Sequence, residues 1–120
     1  MDIENLNQAM TDLLSLSGAI AASVVDWQSG MVLASEAKGD FDIELASAGN
    51  AEVIKAKMAT MKSLGLDGEI KDVLITLTDQ LHIIRMVSSN NSLFLYLALD
   101  AKGTNLGLAR SKMVSVEANL

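Results

Sequence analysis

Apolar residues recur at helical spacing at both ends of the chain and at strand spacing between them. Behind Asp2, a residue suited to an N-cap, Ile3, Leu6, Met10, Leu13 and Leu14 fall on one face of a helix that ends near Ser17-Gly18. Ala19–Asp26 is small and β-branched, and Met31–Ser35 is a second short apolar run. The residues between them, Asp26-Trp27-Gln28-Ser29-Gly30, favour a turn, so the pair predicts a β-hairpin. Asp40 is placed to cap a long helix from Phe41 to Ser63, in which Gly49 is the one breaker. The middle of this helix, Ala46-Ser47-Ala48-Gly49-Asn50-Ala51, consists of small residues. A helical glycine costs about 1 kcal/mol relative to alanine unless a close neighbour offsets it, so tight packing is expected there. Three strands follow, Glu69–Thr78, Leu81–Ser88 and Ser92–Asp100, with turns at Asp79-Gln80 and Ser89-Asn90-Asn91, which predicts an antiparallel meander. From Thr104 to Leu120, the residues Leu106, Ala109, Met113, Val116 and Leu120 describe one helical stripe.

The order is therefore α-β-β-α-β-β-β-α, an α/β (α+β) class domain. The later strands are apolar on both sides: Val73, Ile75 and Leu77 against Leu74, then Phe94 and Tyr96 against Leu93, Leu95, Leu97 and Leu99. Such strands need cover on both faces, which the long helix provides on one and the terminal helices on the other. At 120 residues the chain is expected to form a single domain, residues 1–120. Half of the residues are apolar, yet the longest uninterrupted apolar run, Leu93–Leu99, has seven residues, well short of the roughly 18 that span a membrane. No membrane insertion is expected.

Charge and special residues narrow the functional classes. Nine Lys and Arg against fifteen Asp and Glu give a net charge of −6, the wrong sign for nucleic acid without a concentrated basic patch. Cysteine is absent, which removes disulfides, thiolate metal sites and cysteine nucleophiles together. Met1-Asp2-Ile3-Glu4 has no positive n-region or following apolar stretch, and the expected location is cytoplasmic. His82 is the only histidine, in the middle of a strand and alternating with Ile84 and Met86, and it reads as a packing residue. Ser17-Gly18 and Ser29-Gly30 lack the nucleophile-elbow pattern, and no phosphate-cradling glycine loop exists. Gly103 and Gly107 have the spacing of a helix-contact motif but lie outside an apolar segment, and the Asn90-Asn91-Ser92 sequon has no meaning without secretion.

Asp40, Asp42 and Glu44 sit where acidic residues favour a helix N-terminus, without a calcium-loop pattern. Arg85 and Arg110, the only arginines, read as ordinary pairing residues on a strand and on the exposed side of the last helix. The aromatics Trp27, Phe41, Phe94 and Tyr96 are too scattered to stack bases, and Trp27 at the hairpin tip either anchors a partner or closes the sheet edge. No catalytic residue, cofactor site or metal site is expected. Met58, Met61 and Met86 leave one alternative, a small-molecule sensory domain with an apolar pocket.

The strand from Lys71 to Thr78 begins the meander and is expected to leave one side unpaired. It carries charge only at its start, Lys71 and Asp72. A long apolar edge is a template for association, and pairing two copies across a two-fold axis hides it. A homodimer is therefore expected, with the small-residue long helices packed together.

The segments Gly18–Asp26 with Ser29-Gly30, Asp72–Leu77, Gln80–Arg85, Leu93–Asp100 and Asn105–Arg110, in this order and over almost the whole length, resemble the Roadblock/LC7 domain family, particularly its bacterial stand-alone members. The resemblance implies a five-stranded antiparallel sheet between one long helix and two terminal helices, a profilin- and longin-like three-layer sandwich. It also implies a dimer in which the third strand and second helix of two subunits pair into a ten-stranded sheet, expected here to be a homodimer. The interface then falls on Ala48, Gly49, Glu52, Lys55, Ala56 and Ala59 of the helix and on Asp72, Val73, Leu74, Ile75, Thr76 and Leu77 of the strand. Such proteins are non-enzymatic platforms for small Ras-like GTPases, acting as activators, scaffolds or adaptors of motor complexes. A GTPase is expected on the face of the paired helices, with Glu52, Lys55 and Lys62 tuning the encounter.

Overall fold

The computed structural model describes residues 2–120. The elements are α1 (Ile3–Leu14), β1 (Ala19–Asp26), β2 (Val32–Ala37), α2 (Ile43–Ser63), β3 (Asp72–Thr76), β4 (Gln80–Met86), β5 (Leu93–Asp100) and α3 (Leu106–Glu117), in the predicted order. The strands form one antiparallel sheet in the order β2-β1-β5-β4-β3, so β5 is central and β3 is an edge.

Each face of the sheet has its own core. Leu93, Leu95, Leu97 and Leu99 of β5, with Ala22 and Val24 of β1, pack under α1 and α3 against Leu6, Met10, Leu13, Met113 and Val116. Phe94, Tyr96 and Ala98 point the other way and join Ala21, Val25 and Ile84 beneath Ala51 and Ile54 of α2. Buried Ser23 and Ser47 bridge β1 to α2 through a 2.8 Å hydroxyl pair, which satisfies two groups that would otherwise be costly under the helix.

Several boundaries differ from the sequence expectations. The cap of α2 is Asp42, whose carboxylate accepts from the Leu45 N–H at 3.0 Å, and Asp40 lies in the preceding loop. Asn105 caps α3 in the same way through the Leu108 N–H, so this helix starts after Thr104. Ile3 is 66% exposed, and the buried face of α1 is Leu6, Ala9, Met10, Leu13 and Leu14. β3 is shorter than Glu69–Thr78, since the Leu77 N–H turns to the Gln80 carbonyl at 2.8 Å and closes the hairpin to β4. Gly18, with φ of +85°, joins α1 to β1, and a side chain there would collide with the Thr104 hydroxyl.

Candidate interaction surface

β3 pairs with β4 along one side, matching Asp72 with Arg85, Val73 with Ile84, Leu74 with Ile83, Ile75 with His82 and Thr76 with Leu81. Its other side has no strand neighbour among the described residues. Side chains alternate across the sheet: Val73 and Ile75 share the α2 face with Ile84 and His82 and are half-buried, whereas Leu74 and Thr76 on the opposite face are exposed. Leu77 lies beyond the strand, in the turn, and is 45% exposed. The free edge predicted from the sequence is therefore present.

α2 buries Ser47, Asn50, Ala51 and Ile54. Its outer face carries Ala48, Gly49, Glu52, Ala56 and Ala59, all exposed, and Lys55 is half-exposed and bonded to Glu52 at 3.3 Å. Among the described residues nothing lies within 4 Å of where a side chain at Gly49 would begin, so the tight contact expected at the small-residue segment is not made there. Leu45 on this helix is 71% exposed and Val53 38%. Val73 packs on the cluster that contains Ala51 and Ile54, which brings the edge strand and α2 to one face of the sheet. Lys62 stands apart, about 10 Å along the helix axis from Lys55, at the mouth of a cleft near the end of α2.

Beside the edge, His82 occupies a polar cluster that its isolation in the sequence does not reveal. Its Nε2 lies 2.7 Å from Gln80 Oε1 and its Nδ1 3.2 Å from the Tyr96 hydroxyl, while Phe41 and Tyr96 contact the ring edge-on. The neutral tautomer protonated at Nε2 satisfies both bonds, donating to Gln80 and accepting from Tyr96. Burial holds the imidazole below its ordinary value of 6.5, and it pushes Tyr96 up to about 12 against an opposing hydrogen bond from Asn50. The histidine is thus a packing residue with satisfied nitrogens.

On the opposite face a chain of charges fastens β3 to α3. Arg110 donates to both oxygens of Asp72 at 2.7 and 2.9 Å, and Arg85 lies 3.6 Å from Asp72 and 3.6 Å from Glu117. The Glu117 side chain is 3% exposed and also accepts from the Ser88 N–H. Arg85 is therefore no ordinary surface pair: it faces a buried acid at the C-terminal end of α3. Glu117 follows Met113 by one helical step of four, a signal in the sequence that it faces inward.

Trp27 closes the sheet end. Its indole N–H donates to the Asn91 carbonyl at 2.8 Å and its backbone N–H to Ser92, so the hairpin tip is tied to the β4–β5 turn. Met58, Met61 and Met86 line a single cleft that opens to solvent.

Two outcomes are expected. Replacing Arg85 by Met leaves Glu117 as a buried, unneutralised carboxylate and lowers the unfolding free energy by about 3 kcal/mol in urea melts, part of which returns on adding Glu117→Gln. Arg110→Ala, at the exposed end of the chain of charges, costs much less. Because folded His82 resists protonation while the unfolded residue accepts it near 6.5, stability is complete above that pH and is lost as pH falls toward the folded value. Urea melts at pH 7.5 and 5.5 are expected to show this loss in the parent chain and a smaller one in His82→Gln. Equal losses would contradict the assignment.

No family model matches the sequence, and no curated protein matches it. Solved structures do. The chain superposes on Myxococcus xanthus MglB with a TM-score of 0.85 at 18% identity, covering 98% of this chain and 86% of that one. It matches a Roadblock/LC7 domain from Streptomyces avermitilis with a TM-score of 0.79 at 12% identity, over 93% and 91% of the two chains. A third structure, an MglB with tetrameric arrangement, gives 0.78 at 17% identity over 92% and 81%. Element order, five-stranded sheet and helical layers are common to the first two and to this protein. The chain has the Roadblock/LC7 fold.

Proposed function

We propose that the chain acts as a non-enzymatic member of the Roadblock/LC7 family, a homodimeric regulator that binds a small Ras-like GTPase and modulates its nucleotide cycle. The observation that carries the reading is the unpaired β3 edge, on a fold that matches MglB over 98% of the chain. In the dimer, β3 pairs with its copy, Val73 and Ile75 are covered, and the open surface over Gly49 receives the second α2. The interface uses Ala48, Gly49, Glu52, Lys55, Ala56 and Ala59 together with Asp72–Leu77. Small side chains on α2 bring the helix backbones close without loss of packing. Self-association is also in keeping with the tetrameric arrangement of an MglB.

The GTPase docks on the joined helices, where the Glu52–Lys55 pair and Lys62 bias orientation and encounter rate. The protein works by contact and supplies no nucleophile, base or metal to the hydrolysis. Its place in the cell is the cytoplasm.

Ile75→Lys tests both steps. It sets a charge in the half-buried row of the edge strand, and the variant is expected to be monomeric and to lose GTPase capture. Capture is measured with the Ras-like GTPases of the source organism, loaded with GDP or a non-hydrolysable GTP analogue. A circular dichroism spectrum matching that of the parent chain serves as the folding control. A soluble variant that stays dimeric removes the edge assignment, and a parent chain that retains no GTPase in either nucleotide state removes the partner.

A further inference from the structure

At the C-terminal end of α2 lies an open cleft of about 1070 Å³, bounded by that helix, the segment leading to β3 and the β4–β5 turn. Its apolar lining includes Trp27, Met58, Met61, Leu66, Ile70 and Met86. Leu66 is 55% exposed, an apolar side chain on this cleft that the fold leaves in water. Lys62 and Lys71 are also lining residues, both exposed and without an ion-pair partner among the described residues, and Glu69 is the one carboxylate there. The third cation, Arg85, is already engaged by Asp72 and Glu117. The cleft is thus locally positive on a chain of net charge −6.

We propose that this cleft seats an acidic, amphipathic segment of a partner protein, with apolar side chains against the methionines and carboxylates toward Lys62 and Lys71. The two walls suit that occupant. One is preformed: Trp27 is tied to Asn91 and Ser92, the Asn90 N–H returns to Val87, the Ser88 N–H is held by Glu117, and Ser89 Oγ donates to the Leu120 carbonyl. The other is adaptable, because unbranched methionines repack around different apolar shapes at little cost. The open mouth argues against a small molecule, whose affinity depends on burying most of its surface, and for a segment that brings its own cover. Two unpaired lysines select acidic over basic segments, since like charges brought together at such a site are strongly disfavoured. The site uses neither the Gly49 face nor Asp72–Leu77 of the strand, but it shares Lys62 with the proposed GTPase surface; the peptide titration contains no GTPase and so tests the cleft apart from that reading.

The test uses the purified full chain and two fluorescein-labelled peptides of about 14 residues, with leucines at i, i+3, i+4 and i+7 so that they can fold as amphipathic helices on binding. The remaining positions are glutamate in one peptide and lysine in the other. Binding is followed by anisotropy, and occupancy of the cleft by emission of the chain's single tryptophan, Trp27. The glutamate peptide is expected to bind saturably, to shift Trp27 emission, and to bind about tenfold more tightly than the lysine peptide. Reversing both lysines (Lys62→Glu, Lys71→Glu) is expected to weaken the glutamate peptide about fivefold or more and to strengthen the lysine peptide, with circular dichroism unchanged. Failure of the glutamate peptide to saturate, equal affinity for the two, indifference to the charge reversal, or binding without a change at Trp27 would each overturn the proposal. So would saturable binding of anilinonaphthalene sulfonate at Trp27 that the glutamate peptide does not displace, which would assign the cleft to a small amphiphile.

Discussion

Burial of β5 on both faces is the constraint from which the other layers follow. Leu93 to Leu99 are all buried, and burying each large apolar side chain of this run is worth about 1.5–3 kcal/mol. No single helical layer can collect that energy, because alternate side chains point to opposite sides. The terminal helices take the leucines, and α2 takes Phe94, Tyr96 and Ala98. With β1 and β4 flanking β5, the outer positions fall to β2 and β3. The free edge of β3 is therefore a consequence of its outermost place in the sheet order.

What the two faces do with polar groups differs. Under α1 and α3 the charges form a chain, Glu117 to Arg85 to Asp72 to Arg110, that secures the last helix to the start of the edge strand. On the α2 side the polar groups are neutral: the Ser23–Ser47 pair, and His82 with Gln80 and Tyr96. The charged anchor keeps β3 in place along the sheet, while the neutral face beside it presents Val73, Ile75 and the small-residue flank of α2 to whatever covers them. An edge held at one end and apolar on one face is well prepared to accept another strand.

Much of this was legible in the sequence because it rests on local periodicity. The stripe of Leu6, Met10 and Leu13, the alternation through β5 and the turn residues after Asp26 each report their own element, and together they give the layer count. Boundaries set by a single hydrogen bond were less legible: Asp40 and Asp42 are equally good caps by composition, and only the Leu45 N–H distinguishes them. The shortening of β3 at Leu77 likewise depends on one bond to Gln80. The buried Glu117 and the environment of His82 come from contacts between distant segments, which periodicity does not encode. Gly49 is instructive in another way. Its rarity inside a helix suggested a close neighbour, and the described residues supply none within 4 Å of its missing side chain.

The account turns on whether the β3 edge and the α2 flank meet a second copy. Multi-angle light scattering of the purified chain across a concentration series measures this directly. A mass near twice 12.7 kDa that persists on dilution is the predicted result. A mass of one subunit at every concentration would contradict it, and would leave the exposed edge and the open space over Gly49 without an occupant.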